Sequence, residues 1–214
     1  MPPRTKVEVR GFEARHYDAL MRLITFGKYE RFIQRAIADM NLQPGEVVVD
    51  LGAGTGKNAL LMLQYLGPGG KIYALEIGKE MQAQIQSKQQ TFPQLLLIDQ
   101  RIEQPYQLPE PVDRVFISFV LHGFEQPQRL QIIANARQHL KPHGKFCLLD
   151  YNHFDVDHAP WYVRIAIRKV ECQLAEDFIQ RDWPHILSQE GFTIWKEHTY
   201  LGGYVRLLCG QKTD

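Results

Sequence analysis

Five short apolar runs recur along the chain, and four of them end in an acidic side chain. The runs cover residues 47–50, 71–76, 95–99, 113–119 and 145–150. Their β-branched and leucine-rich composition is typical of strands buried on both faces of a parallel sheet. The segments between them have helical lengths or end at turn residues, as at Gly67–Gly70 and Lys141–Gly144. Strands and helices therefore alternate, which predicts an α/β fold with a doubly wound, Rossmann-like sheet.

The two ends of the chain depart from this alternation. Residues 1–43 predict an N-terminal helical extension, and residues 151–190 predict a helical insertion after the fifth strand. Two apolar segments, Phe192–Thr199 and Tyr204–Cys209, flank a glycine-containing turn and predict a closing antiparallel hairpin. The hairpin completes a seven-stranded, mostly parallel sheet, and a chain of this length is expected to form a single domain.

The glycine-rich stretch after the first strand is the most specific pattern in the sequence. The strand ends at Asp50, and glycines follow at Gly52, Gly54 and Gly56, before an apolar helix. Such glycines permit positive φ and close ligand approach, and the N–H groups at the helix start favour a polar or anionic ligand group. A dinucleotide-binding G-x-G-x-x-G pattern would require a glycine in place of Lys57. A tight turn without a ligand is the alternative, but the flanking strand, helix and downstream acids favour a binding site.

The acids that end the strands are expected to lie together at one edge of the sheet. Ligand sites in parallel sheets lie at the carboxyl ends of the strands, around the switch in strand order. Asp50, Glu76, Asp99 and the segment after Phe119 all follow strands in this way. A carboxylate at the position of Glu76, at the end of the second strand, can accept both hydroxyl groups of a ribose.

The spacing Asp50-x-Gly52-x-Gly54-x-Gly56 resembles motif I of class I S-adenosylmethionine (SAM)-dependent methyltransferases. Most of the chain is also similar to the ubiquinone/menaquinone-biosynthesis C-methyltransferase group within that class. Beyond motif I, the stretches that carry this similarity are Tyr17-Asp18, Phe26-Gly27, Leu140–Phe146, Gly202-Gly203 and Gly210. Motif I and the strand acids are its specific part, and they specify the cofactor rather than the methyl acceptor.

The resemblance implies that SAM is the cofactor and that the strand ends bind it. The implied binding residues are Asp50, Gly52, Ala53, Gly54, Gly56, Glu76, Ile77, Met81, Asp99, Gln100, Phe119 and Tyr17. Among them, Asp99 is expected to accept the adenine amino group, and Ile77 or Met81, in the loop after Glu76, to pack on the adenine. The N-terminal extension with Tyr17 either lies across the mouth of the cofactor site or packs the helices on the sheet.

The chemistry of methyl transfer suggests three further candidates. SAM carries an activated methyl group, so the protein mainly aligns the acceptor and excludes water. A thiol or free amine acceptor needs little more, whereas a phenol or aromatic carbon needs a base that titrates near neutral pH. His122, Tyr151 and His153 lie at the predicted rim and are the candidate catalytic residues. The segments Leu121-His122-Gly123 and Asp150-Tyr151-Asn152 replace the Leu-Arg-Asn and Glu-Phe-Ser of the quinone enzymes.

The predicted function is methyl transfer from SAM to a small-molecule acceptor that is aromatic or moderately apolar. The alternatives are a phospholipid or amine N-methyltransferase, and a SAM-binding protein without activity. Phe154, Trp161 and Tyr162 form either an aromatic substrate wall or ordinary core packing. The ligand-capable side chains of residues 153–158 are expected to form a polar loop rather than a metal site, because no second cluster accompanies them.

Composition narrows the class of partner. A net charge of +1 disfavours a nucleic-acid-binding surface, which would need clustered basic residues. No apolar stretch is long enough to span a bilayer, and the first residues lack the apolar core of a signal peptide. Three widely separated cysteines are expected to be reduced thiols. We therefore expect a cytoplasmic enzyme with a small-molecule substrate, for which peripheral membrane contact and the oligomeric state stay open.

Overall fold

The computed structural model describes residues 28–165, 167–168 and 174–213. Its strands form one seven-stranded sheet. They are β1 (Val47–Leu51), β2 (Lys71–Leu75), β3 (Leu95–Ile98), β4 (Val112–Ser118), β5 (Leu140–Tyr151), β6 (Phe192–Tyr200) and β7 (Val205–Lys212). The helices are α1 (Lys28–Asp39), α2 (Lys57–Leu66), α3 (Lys79–Gln89), α4 (Gln126–His139), α5 (Trp161–Ile165), α6 (Leu174–Ile179) and α7 (Trp183–Gln189).

The strand order is β3-β2-β1-β4-β5-β7-β6. The first five strands pair in parallel, and β7 pairs antiparallel with both β5 and β6. The chain moves outward from β1 to β3 and then returns to place β4 on the other side of β1. The carboxyl ends of β1 and β4 therefore flank the point where the strand order reverses, which is where ligands bind in such sheets. The predicted doubly wound sheet with its antiparallel hairpin is confirmed.

Helices cover both faces of the sheet, each with its own apolar layer. One layer contains buried residues of α1, α2 and α3, including Ile37, Met62 and Ile85. The other contains residues of α4, α6 and α7, including Phe178 and Trp183. Because both faces are covered, the β1 strand is buried along its whole length, as its continuous apolar run predicts.

One predicted boundary needs correction. The helix ends before Lys141–Gly144 as predicted, but the fifth strand, predicted from residue 145, already starts at Leu140, so that Lys141–Gly144 lies within β5. The pairing of β4 with β5 jumps from Val112–Leu140 to Arg114–Lys145, so the stretch between bulges out of the ladder. The described part of the helical insertion predicted over residues 151–190 contains α5, α6 and α7.

Two further observations bear on the sequence predictions. Among the described residues, no helix combines the length and apolarity needed to cross a bilayer. Cys147 and Cys209 are free, buried thiols on β5 and β7. Cys172 and Tyr17 lie outside the described residues.

Candidate active site

The glycine turn after β1 is shaped by one close approach and by two hydrogen bonds to the end of β2. Gly52 has φ 70°, and a Cβ there would lie 2.8 Å from the Cγ2 atom of Val120. Only glycine therefore lets the segment after β4 pack directly on the turn. Gly54 has φ 55°, and a Cβ at this position would meet nothing within 4 Å, so the turn faces open space there. The N–H groups of Gly52 and Ala53 both donate to the carbonyl of Leu75, which ties the turn to the end of β2.

The Glu76 carboxylate lies against this turn and is held by three backbone donors. Its Oε2 atom accepts from the Gly54 N–H at 2.8 Å. Its Oε1 atom accepts from the N–H groups of Ile77 at 2.9 Å and Gly78 at 2.7 Å. Glu76 and Gly54, which are 22 residues apart, are thus brought together at the sheet edge, and the carboxylate is fixed in one orientation.

Asp50 is the buried acid of the site. Its side chain is 2% exposed, and its Oδ2 atom has no hydrogen-bond partner. Burial, and secondly the neighbouring Glu76 carboxylate, raise the pKa of Asp50 to about 7. A buried carboxylate oxygen without a donor is unusual in folded proteins and is satisfied when a ligand brings a donor or a positive charge.

Asp99, the acid after β3, is exposed and already paired. Its Oδ2 atom lies 2.7 Å from the Lys79 Nζ atom, and hydrogen bonds from Lys79 and then Gln82 hold its pKa below the usual range. The neighbouring Gln100 side chain accepts from the backbone N–H of Gln107 at 2.9 Å. The predicted position of Met81 in a loop is wrong. Met81 lies in the first turn of α3 and is buried there.

Phe119 turns the chain sharply after β4. Its φ of 53° is in the left-handed region, which a bulky residue adopts only when the surrounding structure enforces it. Its N–H donates to the carbonyl of Leu149, and its ring lies 5.9 Å from the Tyr151 ring and 6.1 Å from the Phe32 ring. This turn delivers Val120 onto the glycine turn.

The 3₁₀ turn Leu121–Gly123, hereafter the His122 turn, carries a buried histidine bonded to an acid. The His122 Nδ1 atom lies 2.8 Å from the Asp150 Oδ1 atom, and the His122 backbone N–H donates to Oδ2 at 3.3 Å. The ring lies 5.1 Å from the Tyr151 ring and 6.3 Å from the Phe178 ring. The predicted site does not include Asp150, although this acid follows an apolar run just as Asp50, Glu76 and Asp99 do.

The comparisons with known proteins agree with this geometry. Residues 48–144 match the model of a methyltransferase domain. An uncharacterized methyltransferase of Synechocystis sp. is 30% identical over 197 residues, which cover 90% of this chain and 89% of that protein. The chain is a class I SAM-dependent methyltransferase.

Two more similarities describe this methyltransferase further. The ubiquinone/menaquinone biosynthesis C-methyltransferase UbiE of Bordetella avium is 27% identical over 152 residues, covering 70% of this chain and 58% of that protein. The chain spans between 55% and 58% of the length of the first quinone-biosynthesis relatives that it matches. The crystal structure of a SAM-dependent methyltransferase from Aquifex aeolicus has the same fold, with a TM-score of 0.62, 19% identity, and coverage of 94% of this chain and 99% of that one.

SAM is the cofactor of this methyltransferase, and the residues at the strand ends fit it. The space over Gly54, the fixed carboxylate of Glu76 and the unsatisfied Oδ2 atom of Asp50 lie at the same edge of the sheet. SAM has ribose hydroxyl donors and carries positive charge, and these are the groups that two neighbouring carboxylates select.

Two histidines of the segment after β5 make contacts of their own. The His153 side chain is exposed, and its Nδ1 atom bonds to the carbonyl of Ile179 at 3.0 Å, which ties the segment after β5 to α6. His158 pairs with Asp155 on the surface at 2.6 Å. Within residues 28–165, 167–168 and 174–213, no group of three or more His, Cys, Asp or Glu side chains could hold a metal ion.

Proposed function

We propose that this methyltransferase acts on a small-molecule acceptor with an aromatic or moderately apolar skeleton. The observation that carries the proposal is the group of rings beside the glycine turn. The half-buried rings of Phe119 and Tyr151 lie 5.9 Å apart, and the His122 ring lies 5.1 Å from that of Tyr151. Aromatic walls of this kind favour flat, apolar ligands. The relatives named for ubiquinone and menaquinone biosynthesis support an acceptor of this class.

The cofactor residues have separate tasks in this proposal. Glu76 accepts the ribose hydroxyls, because its carboxylate is already oriented by three N–H groups. Asp50 faces the positively charged end of the cofactor. Asp99 accepts the adenine amino group, with Gln100 beside it, and Ile77 and Met81 pack on the adenine. SAM supplies the activated methyl group, so the remaining task of the chain is to align the acceptor and exclude water.

N-methylation of a lipid-borne amine is a second candidate, and one observation favours it. Trp161 and Ile165 are 67% and 49% exposed on α5, one helical turn apart, and the exposed Arg164 lies between them in sequence. An exposed apolar and basic face is the feature that contact with a membrane surface requires.

An acceptor panel separates the two functions. The purified chain is incubated with SAM and either naphthohydroquinone, catechol or vesicles containing phosphatidylethanolamine, and S-adenosylhomocysteine is measured. We expect product with the aromatic compounds and only background with the vesicles. Product formed only with the vesicles would contradict the proposal and support the lipid amine. The Glu76→Ala variant is the control, because a cofactor-dependent signal must fall with it.

A further inference from the structure

We infer that Cys147 and Cys209 form a redox-modification site, at which peroxide joins the two thiols in a reversible disulfide between β5 and β7. Within the part of the chain that the structure describes, these two cysteines are free, buried thiols, and they take no part in the function proposed above. Their reaction does not depend on which methyl acceptor the enzyme uses.

Backbone pairing places the two cysteines directly opposite each other. Cys147 is the register partner of Cys209, in an antiparallel ladder without register shifts from residue 145 to residue 151 of β5. Just beyond this ladder, the Asn152 N–H donates to the opposing Tyr204 carbonyl at 2.9 Å, so these two residues form a hydrogen-bonded pair. Hydrogen-bonded and non-hydrogen-bonded pairs alternate along an antiparallel ladder. Because Cys147 lies five residues before Asn152, it forms a non-hydrogen-bonded pair with Cys209.

A pair of this type has the spacing that a disulfide needs. Opposing Cα atoms in a non-hydrogen-bonded pair lie about 4.5 Å apart, within the range of about 4.4–6.8 Å that disulfides span. In this chain the Cys209 thiol donates to the Cys147 Sγ atom at 2.7 Å. Both side chains belong to the apolar layer on one face of the sheet and are fully buried there. Bond formation therefore requires little movement of the backbone.

A buried guanidinium favours the thiolate form of Cys147. The Nη1 atom of Arg114 lies 3.8 Å from the Cys147 Sγ atom. Burial opposes ionisation of Cys147, but the hydrogen bond from Cys209 and the charge of Arg114 outweigh it and lower the pKa of this thiol. Burial, and then the neighbouring Cys147, raise the pKa of Cys209. Because the thiolate is the reactive form of cysteine, Cys147 supplies the attacking sulfur and Cys209 keeps its proton.

Arg114 is itself held firmly beside the sulfur. Its side chain is fully buried, its Nη2 atom pairs with Glu46 at 2.8 Å, and its Nη1 atom donates to the Met40 carbonyl at 3.0 Å. Met40 directly follows α1, so the end of this helix lies close to the two thiols. Neither thiol is exposed, and the oxidant must therefore be small and uncharged, as peroxide is, and must enter during local opening of the structure.

The modification balances with peroxide as the oxidant. The Cys147 thiolate attacks one peroxide oxygen, so that an S–O bond forms, the O–O bond breaks, and the leaving hydroxide takes up the Cys147 proton to become water. The Cys209 sulfur then attacks the sulfenic acid on Cys147. The S–S bond forms, the S–O bond breaks, and the departing hydroxide becomes water with the Cys209 proton. The thiol pair is oxidised by two electrons, and one peroxide is reduced to two water molecules.

The test counts thiols in the folded chain. The reduced chain is treated with hydrogen peroxide in native buffer, and catalase removes the excess. The chain is then unfolded in urea with N-ethylmaleimide, and mass spectrometry counts the labels. Since the chain has three cysteines, we expect three labels before treatment and one after it. Peptide mapping should find the bond between Cys147 and Cys209, and dithiothreitol should restore all three labels.

Two variants accompany the wild type. Cys172→Ser is the matched control and should lose both of its remaining labels on treatment, whereas Cys209→Ala should form no such bond. The decisive result comes from the wild type and does not depend on the folding of a variant. Retention of three labels, a disulfide that includes Cys172, or a bond that forms only in urea would each overturn the inference.

A second measurement shows whether the folded chain accepts the bond. A disulfide between residues 62 positions apart removes conformational freedom mainly from the unfolded chain. We therefore expect the oxidised wild type to unfold at a Tm about 5–10 °C above that of the reduced chain, and dithiothreitol to remove this rise. A lower Tm after oxidation would show that the native strands cannot accommodate the bond and would also overturn the inference.

Discussion

At the scale of single residues, Asp50 should make cofactor binding depend on pH. Its pKa is raised to about 7, so it is mostly neutral at about pH 6 and mostly ionised at about pH 8. If the ionised form binds the positively charged cofactor, the affinity for SAM should rise about tenfold over this interval, in proportion to the ionised fraction. Calorimetric titration of SAM at the two pH values measures this change.

Two variants and the ligand-free chain check this prediction. Asp50→Asn should abolish the pH dependence, and Asp99→Asn should weaken binding equally at both pH values, because the pKa of Asp99 is below its usual range. The free energy of unfolding of the ligand-free chain should also fall as pH rises toward about 7, since the folded chain holds the Asp50 proton more tightly than the unfolded chain. If the affinity of the wild type for SAM is the same at both pH values, Asp50 does not face the positive charge of the cofactor.

The pair formed by His122 and Asp150 shows where residue-level prediction stops. The sequence places Asp50, Glu76 and Asp99 at strand ends, because each follows an apolar run directly. It also places His122 at the rim. It does not show that His122 bonds to Asp150, 28 residues later, because that contact depends on the local 3₁₀ turn and the left-handed Phe119. Spacing along the chain carries no signal for such a turn.

At the scale of elements, one buried arginine, Arg129, joins α4 to the insertion and to the His122 turn. In addition to the His122 turn, Arg129 donates to the carbonyl of Leu174 at 2.9 Å and pairs with Asp177, both on α6. Arg129→Met would leave these carbonyls without their donor. We expect it to lower the free energy of unfolding by about 2–4 kcal/mol, which is about 5–15 °C in Tm for a chain of this size.

Arg181→Met is the matched control for this variant. Arg181 also pairs with Asp177 but is 33% exposed, so its removal should change the free energy of unfolding by about 1 kcal/mol or less. Urea denaturation of the two variants measures the difference. Equal effects would show that the buried bonds of Arg129 to the backbone contribute nothing beyond its ion pair.

Element boundaries were predictable where periodicity or turn residues mark them. The last part of the helical insertion predicted over residues 151–190 is observed as α7, and the Asp182 side chain caps this helix by accepting from the His185 N–H. The helix does end before Lys141–Gly144, but the start of the fifth strand was placed too late, because proline and glycine are equally compatible with a turn and with a bulge inside an extended strand. Only the pairing of β5 with β4 decides between them.

At the scale of the whole molecule, the alternation of strands and helices was sufficient to predict the class of fold. The sequence also predicted the antiparallel hairpin, since two apolar segments flank a short glycine-containing turn. The sequence did not predict the strand order, because the position of β7 between β5 and β6 results from pairing between segments that are far apart in the chain. That order is what places the carboxyl ends of β1 and β4 on either side of the switch point.

Because the proposed cofactor site joins the ends of several core strands, binding of SAM there should stabilise the whole sheet. At a SAM concentration of about 100 times Kd, mass action adds about 2.7 kcal/mol to the free energy of unfolding. For a domain of this size that corresponds to a rise in Tm of about 5–10 °C, which thermal unfolding with and without SAM measures. NAD at the same concentration should give no rise, because Lys57 occupies the position where a dinucleotide-binding turn needs glycine.

Two glutamates that contact different parts of β2 and its flanking loops make this measurement specific. Glu76→Ala should reduce the rise in Tm to about half or less, since a tenfold weaker Kd lowers the mass-action term to about 1.4 kcal/mol. Glu110→Ala should keep the full rise, because Glu110 precedes β4 and accepts from Lys71, the first residue of β2, and from the Tyr73 hydroxyl, away from the glycine turn. An equal loss in both variants would mean that SAM stabilises the domain through a different surface, and a rise with NAD would return the glycine turn to dinucleotide binding.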